Sequence, residues 1–203
     1  MKKLTTVGYS FLLAFGFWFV SFYLNPYNFW VEMSGAVSVL ALLSLWLWQG
    51  YGQLMDWDLR SLAQGVVSAL GLYGLFWVGN LVITAVIPFA ENEISAVYGN
   101  TGAASLPVIG VLLFLVIGPG EEIFWRGTVQ KSLEEKYGSL FGVLAGASLY
   151  ALVHVWALNL TLFLAALLCG LVWGWLYSRE GKLAPVIISH SVWSVLIFLI
   201  FPV

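Results

Sequence analysis

Seven long stretches of the chain are almost wholly apolar, at roughly 4–24, 31–49, 62–87, 106–121, 140–157, 159–177 and 184–201, with short polar segments between them. A helix that crosses a bilayer needs about twenty mostly apolar residues. The pattern predicts an all-α fold, a polytopic membrane bundle of about seven transmembrane helices. The fourth stretch is short for a span. It runs on past Pro119 into an amphipathic segment, Thr128 to Tyr137, that should lie at the membrane surface. The segment from Pro88 to Leu106, with Gly99, Asn100, Thr101 and Gly102, reads as an ordinary polar outer loop, with a flexible lid or cap as the alternative. Lys2 and Lys3 precede the first stretch, as they would in a signal peptide. That stretch is longer than a usual signal core and ends in no small-x-small site, so it reads as a retained span.

Composition removes the soluble alternative. Of 203 residues, 61% are hydrophobic and only 9% charged, with mean hydropathy +0.94, whereas a soluble domain carries roughly 25% charged residues. A net charge of −2 without any basic run excludes nucleic acid as a partner. The partners that remain are the lipid bilayer and a membrane-associated peptide or protein. There is no internal repeat, which argues against a transporter built from paired inverted halves. Cys169, the only cysteine, sits in an apolar run and reads as a buried, inert thiol.

Charge then orients the bundle. With a cytoplasmic N-terminus, Lys2, Lys3, Arg60, Lys131, Lys136, Arg179 and Lys182 all fall on the inner side, with Arg126 near it. Glu32, Glu91 and Glu93 fall outside. This is a positive-inside pattern, and seven spans place the C-terminus outside. Tyr23, Tyr27 and Trp30 would flank the first outer turn, and Trp46, Trp48, Tyr51 and Trp57 the first inner one.

Ionisable groups inside spans are costly, and their presence is a functional hypothesis. Glu121, Glu122 and Arg126 lie at the inner end of the fourth span, His154 in the fifth and His190 in the seventh. Glu122 and Arg126 are four apart and can pair on one helical face. Glu121 is rotated about 100° from Glu122 and is free to face a cavity. One Glu–Arg pair suffices as a membrane-edge anchor, so the second carboxylate is what points to chemistry. Glu, His and His can activate water in two ways. Glu121, His154 and His190 could hold a zinc ion, or the glutamate could take a proton from water while the histidines orient it and stabilise an oxyanion. No His-Glu-x-x-His occurs, which excludes a thermolysin-like zinc helix.

Three motifs occur in order along the chain: Glu121-Glu122-Ile123-Phe124-Trp125-Arg126, then Tyr150-Ala151-Leu152-Val153-His154, then His190-Ser191-Val192-Trp193-Ser194. They resemble the CAAX prenyl endopeptidase and bacteriocin-processing (CPBP, Abi) family of intramembrane proteases, whose motifs are Glu-Glu-x-x-x-Arg, Phe-x-x-x-His and His-x-x-x-Asn or Asp. The resemblance covers 106–203 as a catalytic region, with 1–105 as N-terminal helices and outer loop. It implies that Glu121 and His154 activate water, and that His190 with the fourth-position residue stabilises the oxyanion or holds a metal. Glu122 and Arg126 would be structural. Tyr150 replaces Phe, and its hydroxyl could join the network. Ser194 replaces Asn or Asp and is too short to copy either. The implied activity is that of a metalloprotease or a metal-free glutamate protease, cleaving a membrane-associated peptide near a lipidated C-terminus or within its anchor.

Counting depth along the helices does not close. Glu121 should lie about 22 Å below the outer end of the fourth span, and His154 about 21 Å from the inner end of the fifth. Either the fifth span starts below the inner surface or the Glu-bearing helix tilts. The expectation is a water-filled cavity open to the cytoplasmic side, in an integral protein of a bacterial or archaeal cell membrane. Two rivals remain. A serine protease would use Ser148, which is six residues from His154 on roughly the opposite helical face. The other is a catalytically degenerate member acting as a membrane binding or bacteriocin-immunity protein.

Overall fold

A computed structural model describes residues 2–47 and 51–203, and Trp48 of the expected anchors lies outside them. All regular structure in the described residues is helical, because in lipid every backbone polar group must find its partner within the protein. The helices are α1 (Lys2–Trp18, continued by Phe19–Leu24), α2 (Phe29–Leu47), short α3 (Tyr51–Leu54), α4 (Leu59–Val86), α5 (Ala90–Gly99), α6 (Leu106–Tyr137), α7 (Ser139–Ala157), α8 (Leu160–Glu180) and α9 (Ala184–Ile200). Six of them (α1, α2, α4, α6, α7 and α8) are long and apolar enough to span a membrane; α9, the seventh predicted span, is a shorter apolar helix.

The turns have local causes. Gly138 at φ 87° separates α6 from α7, and Gly181 at φ 66° ends α8, both in a region costly for side chains. Asp58 caps α4 by accepting from the Ser61 amide (2.6 Å), and Asn159 caps α8 by accepting from that of Leu162 (2.7 Å). Pro107 and Pro185 stand in the first turns of α6 and α9, where a missing N–H costs nothing.

Helix α6 is the centre of the bundle and packs against α1, α2, α7 and α9. Helices α7 and α8 pair along their length, and α4 lies on α9 at the edge. One apolar core runs from Val7 to Ile197 and joins the two halves of the chain, so the division at 105/106 separates motifs rather than packing units. The outward faces carry exposed apolar side chains such as Leu42, Val82 and Leu140, as lipid contact requires.

Four expectations change here. The fourth span does not stop at 121, and the first residues after it are packed inside the bundle. Helix α6 continues to Tyr137, and Thr128, Val129 and Gln130 are fully buried, with Gln130 Nε2 donating to the Gly174 carbonyl (2.8 Å). This resolves the depth mismatch, since α6 runs about 24 Å beyond Glu121 and α7 returns about 22 Å to His154, bringing them level. The 88–106 segment is no simple loop. Helix α5 is pinned over the bundle end, where Glu93 accepts from the Leu160 amide (3.1 Å) and from the Thr161 amide (2.8 Å) and hydroxyl (2.6 Å), at the positive N-terminus of α8. Desolvation raises the Glu93 carboxyl, but these donors more than offset it and hold it below the usual value. This contribution is therefore complete at neutral pH and fades only as pH falls through the depressed value. Lastly, Trp30 and Tyr51 are not interfacial anchors. Both are buried, because each finds a partner inside: Trp30 Nε1 donates to the Asn100 carbonyl (2.8 Å), and the Tyr51 hydroxyl shares a hydrogen bond with that of Thr128 (2.6 Å). Tyr23, Tyr27, Trp46 and Trp57 are exposed, as anchors should be.

Candidate active site

The glutamates sit in a short α-helical segment of α6, Gly118–Phe124, between two wider turns, Leu113–Ile117 and Trp125–Gln130. In these turns the amide reaches back five residues: Gly118 to Leu113, and Lys131 to Arg126. Such bulges are frequent at functional sites. The next amide in the first series would be that of Pro119, which has no N–H to give to the Phe114 carbonyl. The Ser191 hydroxyl of α9 donates to that carbonyl instead (2.9 Å). A Cβ on Gly118 would stand 2.8 Å from the Ser191 oxygen, so glycine is what lets α9 come this close. Ser191 adjoins His190, and the proline, the glycine and the serine together fix where that histidine meets α6. Ser191→Ala should cost about 1–2 kcal/mol by leaving the Phe114 carbonyl, which faces lipid rather than water, without that donor. Equilibrium unfolding in mild detergent would check this, and an unchanged midpoint would show that the carbonyl does not depend on Ser191.

The two carboxylates diverge. Glu122 is fully buried, and its Oε1 receives both Arg126 Nη1 (3.0 Å) and His190 Nδ1 (2.6 Å). Glu122 Oε2 has no hydrogen-bond partner. Glu121 turns the other way, and its Oε2 accepts from the Tyr150 hydroxyl (2.7 Å). The Arg126 guanidinium lies 4.9 Å from the Tyr150 ring centre and 5.5 Å from that of Trp173, with a reach to the Gly170 carbonyl. The Glu122–Arg126 pair and the Tyr150 hydroxyl contact appear as the motifs suggest. The pairing of His190 with Glu122 rather than Glu121 is not legible in the sequence, because it depends on the approach of α9.

His154 is buried. Its Nδ1 lies 2.8 Å from the Tyr150 carbonyl, which fixes that nitrogen as the donor, and its Nε2 accepts from the Trp18 indole (3.3 Å). Sequence reasoning misses Trp18 and Trp173. Trp173 is fully buried, stacks on the His190 ring at 3.9 Å and donates to Ser189 Oγ (3.1 Å). No spacing rule ties either tryptophan to its histidine, since each comes from another helix. Ser148 Oγ donates to the Leu144 carbonyl (2.8 Å) of its own helix and lines no part of the site, which disposes of the serine-protease reading. Cys169 is buried, as expected.

Glu121, Tyr150, His154, His190 and Ser194 all line one cavity of about 480 Å³. Residues 103–196, which hold all five, match the family profile described as type II CAAX prenyl endopeptidase Rce1-like. Over these residues the chain is similar to that family. No curated protein and no solved structure matches the chain. Among the described residues no three His, Cys, Asp or Glu groups converge as ligands. His154 Nε2 accepts from Trp18, and His190 turns Nδ1 to a carboxylate that also serves Arg126.

The cavity lies toward one end of the bundle. Its walls come from the 25–28 end of α1 and α2, the second half of α4, helix α5, the second half of α9 and the first half of α8. The basic ends of the helices, with Arg60, Lys136, Arg179 and Lys182, lie at the opposite end of the bundle.

Proposed function

We propose that the protein is an intramembrane endopeptidase that hydrolyses a peptide bond in a membrane-associated substrate with Glu121 as general base and no metal. The observation that carries this is the convergence of Glu121, Tyr150, His154, His190 and Ser194 on one cavity within the Rce1-like segment. Tyr150 holds one oxygen of Glu121, and the carboxylate takes a proton from water as the water oxygen attacks the scissile carbonyl carbon. His190, oriented by Glu122 and countered by its charge, faces the developing oxyanion, with the Ser194 hydroxyl as a further donor. The C–N bond then breaks, and the proton held by Glu121 passes to the leaving amine. His154 joins the water when its Nε2 exchanges the Trp18 indole for it. The basic helix ends face the cytoplasm, following the positive-inside rule.

The test is membrane proteomics of cells with wild type against Glu121→Gln. A peptide pair whose cleavage vanishes in the variant, at equal expression, supports the reading. Biological function retained by the variant would instead support the binding or immunity role, which the engaged nitrogens of His154 and the serine at 194 favour.

A further inference from the structure

Helix α1 lies outside the segment that matches the family profile, yet it reaches the site. Trp18, its last residue before the wider turn Phe19–Leu24, is fully buried and donates its indole N–H to His154 Nε2 (3.3 Å). The other ring nitrogen of His154, Nδ1, lies 2.8 Å from the Tyr150 carbonyl of its own helix. A neutral imidazole has one N–H and one lone pair. With Nδ1 as the donor, the lone pair of His154 is committed to the indole. His154 and Phe22 line the cavity, whereas Trp18 stands behind that wall. Phe22 is four residues beyond Trp18 and meets the imidazole edge-on, with ring centres 5.6 Å apart. At 3.3 Å the indole bond stands at the long end of N–H hydrogen bonds, so a small outward shift of α1 breaks it. An occupant of the cavity that presses on Phe22 acts on the turn that follows Trp18.

We propose that Trp18 is a gate on His154. In this state its indole keeps the imidazole lone pair from water, and the site rests closed. An occupant that displaces Phe22 draws Trp18 off Nε2 and opens it. Trp18 is a positioning residue, acting through His154 and touching no reacting atom. The gate rests on the endopeptidase reading for what the freed nitrogen does, whereas the masking of Nε2 is tested without turnover.

Diethylpyrocarbonate reads the masking, because it acylates an imidazole nitrogen only through a free lone pair. Full-length wild type and Trp18→Phe are treated in mild detergent, and the modified histidines are located by peptide mass spectrometry. His154 and His190 are the only two histidines in the chain. His154 should react about two- to tenfold faster in Trp18→Phe, the factor that one net hydrogen bond supplies, and His190 should keep its rate. Trp125→Phe is the packing control. Its ring meets Trp18 edge-on at 6.2 Å and its indole N–H has no hydrogen-bond partner, so both rates should stay at the wild-type level. If Trp18→Phe does not fold, 3-benzothienylalanine at position 18 keeps the bicyclic shape and removes the N–H. An unchanged His154 rate, or an equal rise in Trp125→Phe, would overturn the gate. Kinetics on the Glu121-dependent peptide give the second readout. Trp18→Phe should raise kcat/KM by a similar factor through a lower KM, since binding no longer has to open the gate. A fall in kcat/KM beside a faster His154 would make Trp18 a support for the histidine and overturn the gate. If His154 is unmasked as expected while wild type and variant both cut nothing, the endopeptidase reading fails and the masking stands.

Discussion

Arg126→Met should destabilise the bundle by about 3–5 kcal/mol, because it removes the buried cation from Glu122 and leaves that carboxylate only the His190 ring nitrogen. Glu122 and Arg126 are almost wholly buried and joined at 3.0 Å. The i, i+4 spacing alone would be worth little on a helix surface. Burial changes the balance, since desolvation has already been incurred and only the partner offsets it. Arg126 also spans the Tyr150 and Trp173 rings, so the Met side chain keeps some packing and isolates the charge. Adding Glu122→Gln to Arg126→Met should recover much of the loss, because the carboxylate that lost its guanidinium is removed while an amide oxygen can still accept from His190. Unfolding midpoints of the four proteins in one detergent form the double-mutant cycle. If Arg126→Met lost less than about 1 kcal/mol, the pair would be acting as a solvated surface bridge rather than as a buried one. His190 should register the same change, because its Nδ1 shares the oxygen that Arg126 holds.

The helical class, the positions of the seven apolar helices and the divergence of the two glutamates are legible from period, length and spacing. These are properties of one helix at a time. Features that are not legible depend on how separate helices meet. The end of α6 is hidden because charged residues at 131–136 resemble a surface segment, while Gln130 in fact reaches the Gly174 carbonyl of another helix. The fold of 88–106 is hidden by its glycines and its low hydrophobicity. Its order comes from Glu93 at the end of α8, a contact across 68 positions with Thr161. The position of the cavity is hidden as well. Charge marks one end of the bundle, but only the packing of α4 on α9 leaves the space beside α8 toward the other end.

Trp173 shows how far the site depends on residues with no motif. Trp173→Ala should cost about 3–5 kcal/mol, the range for removing a large aromatic from a core. The loss should exceed simple cavity formation. The ring backs His190 at 3.9 Å, lies within 5.5 Å of the Arg126 guanidinium and meets Trp193 edge-on at 5.5 Å, and its Nε1 donates to Ser189, which in turn donates to Ser68 of α4. Removing it therefore frees the histidine that Glu122 orients and loosens the attachment of α4 to α9, which forms one wall of the cavity. Trp173→Phe separates the two effects. It keeps an aromatic face against His190 and loses the indole donor, so it should cost about 1 kcal/mol for the missing hydrogen bond, plus the smaller volume. The expected order is wild type, then Phe, then Ala, in both unfolding midpoint and cleavage of the Glu121-dependent peptide. A stable but inactive Trp173→Phe would assign the indole N–H to the chemistry. A Trp173→Ala protein as stable as wild type would mean that His190 and Arg126 are held by α6 and α9 alone.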